Sequence, residues 1–114
     1  MLPISLFAQV NDGIRQAMDN YDYETVVMLI ESDCQDSLLL ITKAQALKAM
    51  NRYPEAIGVL NSLILKDSTN TKVLIDLAEC YKLTGNSRRA ANCYQKAMNL
   101  QPENKFFRLQ FIRS

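Results

Sequence analysis

The chain has 114 residues, 48% of them hydrophobic, which bounds it to one ordinary domain with enough apolar material for a packed core. Its 13 basic and 12 acidic residues leave a net charge of +1, so no strong field draws in nucleic acid or an anionic membrane surface. Histidine is absent, which removes the commonest general base and zinc ligand, and the three cysteines are odd in number with no C-x-x-C pair. We therefore expect no metal, no cofactor and no catalytic residue. Cys34, Cys80 and Cys93 are expected to pack as small hydrophobes. A Cys80–Cys93 bridge is a pairing that a helix hairpin would permit, since it brings such positions near one another.

The first nine residues, an apolar run ending in Ala8 and Gln9, are similar to the tail of a bacterial export signal but lack a basic start. They serve equally well as the first turns of a helix, so an exported and a cytoplasmic location both stay open. No segment approaches the roughly 20 apolar residues that span a bilayer. A helix over residues 4–19 is expected from Leu6, Val10, Ile14, Ala17 and Met18, with Gly13 inside it at a cost of ~1 kcal/mol relative to alanine. A close helix–helix approach would explain that glycine. A shorter helix is expected over residues 23–32, closed by a loop at 33–36.

The next helix spans about 37–50, and Asn51 follows it, a residue that tolerates the left-handed conformation second only to glycine. Pro54 falls in the first turn of a helix running to about Lys66, where its missing N–H is harmless. Residues 67–70 are rich in capping side chains and precede a helix over 71–84. Gly85 marks its end, Asn86 and Ser87 open a helix reaching Leu100, and Pro102 stops it. Residues 104–113 have the register of a further helix and hold Phe106, Phe107, Leu109, Phe111 and Ile112. That is more apolar surface than the polar outer face expected of a terminal cap. Residues 105–114 are accordingly expected to begin another unit or to pair with a second copy, and the chain to be the N-terminal part of a larger bacterial protein.

The pattern repeats at an offset of 34 residues: Leu40, Ala44, Leu47, Ala56 and Leu60 recur as Leu74, Ala78, Tyr81, Ala90 and Tyr94. A period of this length means stacked supersecondary units. With Ala97 and Pro102 in place, the residues from Leu74 to Pro102 resemble the tetratricopeptide repeat. The second unit resembles it less closely at Lys43 and Ser68, and the first only around residues 23–30, where the offset to the next unit is 30. The fold expected is all-α, a right-handed superhelical array of antiparallel helix hairpins. It forms one array of about three hairpins plus a final single helix, with units at about 7–36, 37–70 and 71–104. The small residues Ala78, Ala90 and Ala97 would let paired helices approach to ~8–10 Å, with Tyr81 and Tyr94 filling between hairpins.

The resemblance implies a binding module whose concave face is lined by the first helix of each unit. Carried onto this sequence, the groove residues are Asn11, Arg15, Leu38, Ile41, Gln45, Lys48, Lys72, Ile75, Glu79 and Lys82. They mix neutral, apolar and basic groups, which suits a peptide. Some family members clamp a C-terminal carboxylate with Lys, Asn and Arg on successive first helices. Here Lys72 matches one such place, while Asn11, Arg15, Thr42 and Asp76 stand at the others, and an aspartate repels a carboxylate. That clamp is therefore not expected. Three roles are open: binding a protein or peptide on the concave face, positioning substrate for a catalytic domain beyond residue 114, or self-assembly through Phe106, Phe107, Phe111 and Ile112 as a homodimer.

Overall fold

The computed structural model describes the backbone of residues 4–30 and 34–104 and the side chains from Asp12 onward. Among the described residues six helices follow in order: α1 (Ile4–Asp19), α2 (Tyr23–Leu29), α3 (Ser37–Ala49), α4 (Tyr53–Lys66), α5 (Thr71–Leu83) and α6 (Ser87–Leu100). Among the described residues there is no strand. Each helix packs chiefly on its chain neighbours, so α1 with α2, α3 with α4 and α5 with α6 form hairpins, and α2 on α3 and α4 on α5 join them. The result is a stack 47 × 24 × 22 Å.

Short polar side chains start most of the helices. Asp36 accepts from the N–H groups of Leu38 and Leu39, Asn70 from Val73, Asn86 from Arg89 and Asp22 from Thr25. Helix α4 has no side-chain cap and carries Pro54 in its first turn. The three hairpin turns close in the same way. A residue with positive φ (Tyr21 at 58°, Asn51 at 61°, Gly85 at 83°) is followed by an N–H reaching five residues back. Those bonds are Asp22 to Ala17 (2.8 Å), Arg52 to Leu47 (2.9 Å) and Asn86 to Tyr81 (2.8 Å). This is the Schellman closure, in which a left-handed residue satisfies carbonyls that the helix end leaves open.

Helix α2 ends at Leu29, earlier than residue 32 as periodicity suggests. Ile30 takes extended backbone (φ −99°, ψ 106°) and is buried beside Ile14, Ala17, Val26 and Ala46. Burial of Ile30 in this extended conformation offsets part of the helical hydrogen bonding given up there. Gly13 faces α2, and a Cβ there would stand 3.4 Å from Leu29 Cδ1, in snug contact without a clash.

The core runs the length of the stack. Ala44, Ala56, Ala78, Ala90 and Ala97 are fully buried where helices cross, and larger groups such as Leu47, Leu60, Leu74 and Tyr94 fill the layers between them. Tyr81 and Tyr94 are both buried. All three cysteines are free, so the Cys80–Cys93 bridge is not made; both side chains serve as core hydrophobes. Among the described residues no helix is long and apolar enough to cross a membrane. Phe106, Phe107, Phe111 and Ile112 lie outside the described residues, as does the side chain of Asn11.

Candidate binding surface

The first helices of the second and third hairpins, α3 and α5, bring polar side chains together on one face. Gln45 Nε2 donates to Asp76 Oδ2 at 3.1 Å, Lys48 Nζ donates to Asp76 Oδ1 at 3.4 Å, and Lys48 Nζ donates to Glu79 Oε2 at 3.0 Å. The partners lie 31, 28 and 31 residues apart. Those separations are the repeat length less about one or two helical turns, so they follow from stacking like helices side by side. Asp76 is the only buried charged residue among those described, at 8% exposure. Its burial is tolerable because Gln45 and Lys48 both donate to it.

The cluster holds one positive and two negative charges. Burial by itself would push the Lys48 ammonium down. The hydrogen bond to Glu79, then the charges of Asp76 and Glu79, outweigh it and hold the group above the ordinary lysine range. Cys80 lies next to this cluster. Burial pushes its thiol up, Lys48 pulls it back in part, and the neighbouring carboxylates raise it further. Burial likewise raises Cys93. Raised, buried thiols are poor nucleophiles.

The same face changes character toward the N-terminal ends of α3 and α5. Leu38 is 76% exposed, and Ile41 and Ile75 are half-buried beside it. The face is thus apolar at one end and ionic at the other. Lys72 and Lys82 are exposed near the two ends of α5. Arg15 pairs at 3.1 Å with Asp12 on its own helix, both well exposed. Thr42 donates to the Leu38 carbonyl within α3 and is occupied there. Of the groove residues projected from sequence, Gln45, Lys48 and Glu79 meet in one network, and Lys72, Lys82 and Arg15 stand apart from it. The central member, Asp76, was singled out by sequence only as unsuited to a carboxylate clamp. The missed signal was opposite charge at 28 and 31 residues beyond Lys48. Among the described residues, no three of His, Cys, Asp and Glu are grouped to hold a metal.

The tetratricopeptide-repeat model matches residues 47–110 of this chain, more than half of it, and the chain belongs to that family. A DnaJ homolog subfamily C member 7 homolog of Dictyostelium discoideum is 34% identical over 86 residues. That match takes in 74% of this chain but spans 16% of the relative's length. Among solved structures, the Yersinia enterocolitica type III secretion chaperone SycD with a peptide of the translocator YopD superposes with a TM-score of 0.80 at 16% identity. It covers 97% of this chain and 93% of that one. PcrH of Pseudomonas aeruginosa with the chaperone-binding region of PopB gives 0.74 at 15% identity, covering 98% and 94%. At such identities the likeness establishes a shared fold.

Proposed function

We propose that the chain is a protein-interaction module that takes a peptide segment of a partner along the face formed by α1, α3 and α5. The observation that carries this reading is the pre-ordered ionic cluster of Gln45, Lys48, Asp76 and Glu79 set beside an apolar strip of exposed Leu38 and half-buried Ile41 and Ile75. A surface whose charges are already paired across two helices loses little side-chain entropy on binding. The accessible part of that strip, chiefly Leu38, supplies apolar area that favours association. Membership of the repeat family and the shared fold with chaperones solved holding peptides support it. On this reading the chain acts by binding, with no catalytic step of its own, and its partner is a protein or peptide.

The partner's chemistry follows from the same groups. Its apolar side chains rest on Leu38, Ile41 and Ile75. Its polar groups meet Lys72, Lys82 and the remaining acceptor capacity of Glu79. Lys48 is committed to Asp76 and Glu79, so charge reversal there would disturb the fold as well as the face. The clean test is a pull-down on the natural lysate with mass spectrometry, followed by titration of the captured segment. Lys72→Glu with Lys82→Glu, and separately Leu38→Asp, should weaken binding at an unchanged melting temperature. Binding that survives both changes but fails on altering α4 or α6 would refute the assignment. A further reading rests on Phe106, Phe107, Phe111 and Ile112 within one short segment, an apolar density that suits a self-associating surface. Sedimentation at micromolar concentration tests it. A monomer unaffected by Phe111→Asp would rule it out.

A further inference from the structure

The side of the second helices carries clefts that repeat with the chain. One, of about 470 Å³, lies between α3 and α4 and reaches the start of the second hairpin at Cys34 and Gln35. Two more, of about 200 and 360 Å³, share Ile64, Leu74 and Lys96 and run as one groove between α4 and α6 above α5. Every residue lining the first cleft has its successor, 34 positions on, lining this groove. On the floor Leu40 and Leu47 become Leu74 and Tyr81, while the lysines of the first cleft, Lys43 and Lys66, become Leu77 and Leu100.

The walls are not preserved. Glu55, Gly58 and Ser62 of the first cleft become Arg89, Asn92 and Lys96 in the groove. In the first cleft Glu55 is already held by a two-pronged bond from Arg52, at 2.8 and 2.6 Å. Among the described residues, the groove's lining has two cations and no carboxylate. Arg89 sits 5.8 Å over the ring of Tyr81, whose hydroxyl accepts from Asn61 at 3.3 Å. The guanidinium is therefore placed over the groove with no acid pairing it among the lining residues. Beyond Lys96 the groove turns apolar at Ile64, Leu74 and Leu100, and Asn92 and Asn99 stand along its α6 wall.

We propose that the α4–α6 groove is a second binding site, distinct from the face of α3 and α5, for an acidic and apolar peptide segment of a partner protein. A carboxylate side chain pairs with Arg89 or Lys96, which stand two helical turns apart on α6, and an apolar side chain one or two residues along lies on Ile64, Leu74 and Leu100. Charge complementarity selects the acid. The carboxamides along the wall suit a peptide backbone, which presents donors and acceptors at regular intervals.

The test uses the full chain, labelled with nitrogen-15, and a blocked pentapeptide with one glutamate and one leucine two positions on in a glycine–serine background. Saturable shifts are expected at the amides of Asn92, Lys96 and Leu100. The variant Arg89→Glu with Lys96→Glu should bind it about tenfold more weakly, the loss of one exposed charge pair and the repulsion that replaces it. It should instead favour the same peptide with lysine for glutamate. Both replaced side chains are exposed, so its melting curve should match the parent's; if it does not, Arg89→Gln with Lys96→Gln serves in its place. Lys72→Glu with Lys82→Glu should leave these shifts unchanged, which separates this site from the one above. Four results would overturn the proposal: no saturable shift, equal binding by the variant, shifts confined to α3 and α5, or perturbation of the groove only by phosphatidylserine vesicles.

Discussion

Replacing Lys48 by methionine probes the ionic cluster most directly. The substitution keeps the length and apolar stem but removes both bonds of the ammonium, at 3.4 Å to Asp76 and 3.0 Å to Glu79. Asp76 is then left buried with one donor, Gln45. Stranding one member of a fully buried pair costs about 3–5 kcal/mol, whereas an exposed pair contributes about 0–1. The Lys48 and Asp76 side chains are 17% and 11% exposed and that of Glu79 is 45% exposed, so the cluster falls between the limits. We expect a loss of about 1.5–3 kcal/mol, a fall in melting temperature of roughly 6–12 °C for a chain of this size. Adding Asp76→Asn should restore part of the loss, because the neutral amide no longer needs a cation. Circular dichroism melts of the parent, both single variants and the double variant give the coupling energy directly. The pH dependence has a fixed sign. The folded-state pKa of Lys48 is raised, so its contribution is complete at neutral pH and is lost as pH rises from about 10 through the folded value. Parent and variant melts should therefore converge at high pH. A Lys48→Met protein melting within about 2 °C of the parent at pH 7 would show that Asp76 does not depend on it.

Further expectations concern one helix crossing, the backbone at three positions and the three thiols. Ala90→Leu, at a fully buried crossing, should overpack the third hairpin and lower stability by about 1–3 kcal/mol in a urea titration; no loss would refute the register assigned to α6. Among the backbone positions, Tyr21→Gly should stabilise by about 1 kcal/mol because it relieves a left-handed aromatic residue, and Gly85→Ala should destabilise by a similar amount. Opposite signs at Tyr21 and Gly85 in the melts would contradict the turn geometry, and Gly58→Ala, in an open helix interior, should gain about 0.5–1 kcal/mol. With Ellman's reagent at pH 8, half-buried Cys34 should react first. Cys80 and Cys93, raised by burial, should react only as the chain opens. Simultaneous reaction of all three in the native protein is the outcome that would contradict this.

The fold was legible in the sequence because its determinants are local or periodic. The 34-residue spacing of Ala44 with Ala78 and of Ala56 with Ala90 shows where helices cross. Asn51, Pro54, Asn70 and Gly85 mark the helix ends through backbone preferences that need no tertiary contact. The faces were less legible. Helical period separates a buried stripe from an outer one, but it does not tell which outer residues of two helices meet. That depends on the axial stagger of the stack, which places Lys48 against Asp76 and Glu79 and not against its own repeat partner Lys82. Nor was it legible that α2 stops at Leu29, where Ile30 turns to extended backbone and is buried against α1 and α3. Tertiary packing alone decided that the bases at Arg89 and Lys96 line a groove with Ile64, Leu74 and Leu100, an assembly of three helices that no single segment encodes.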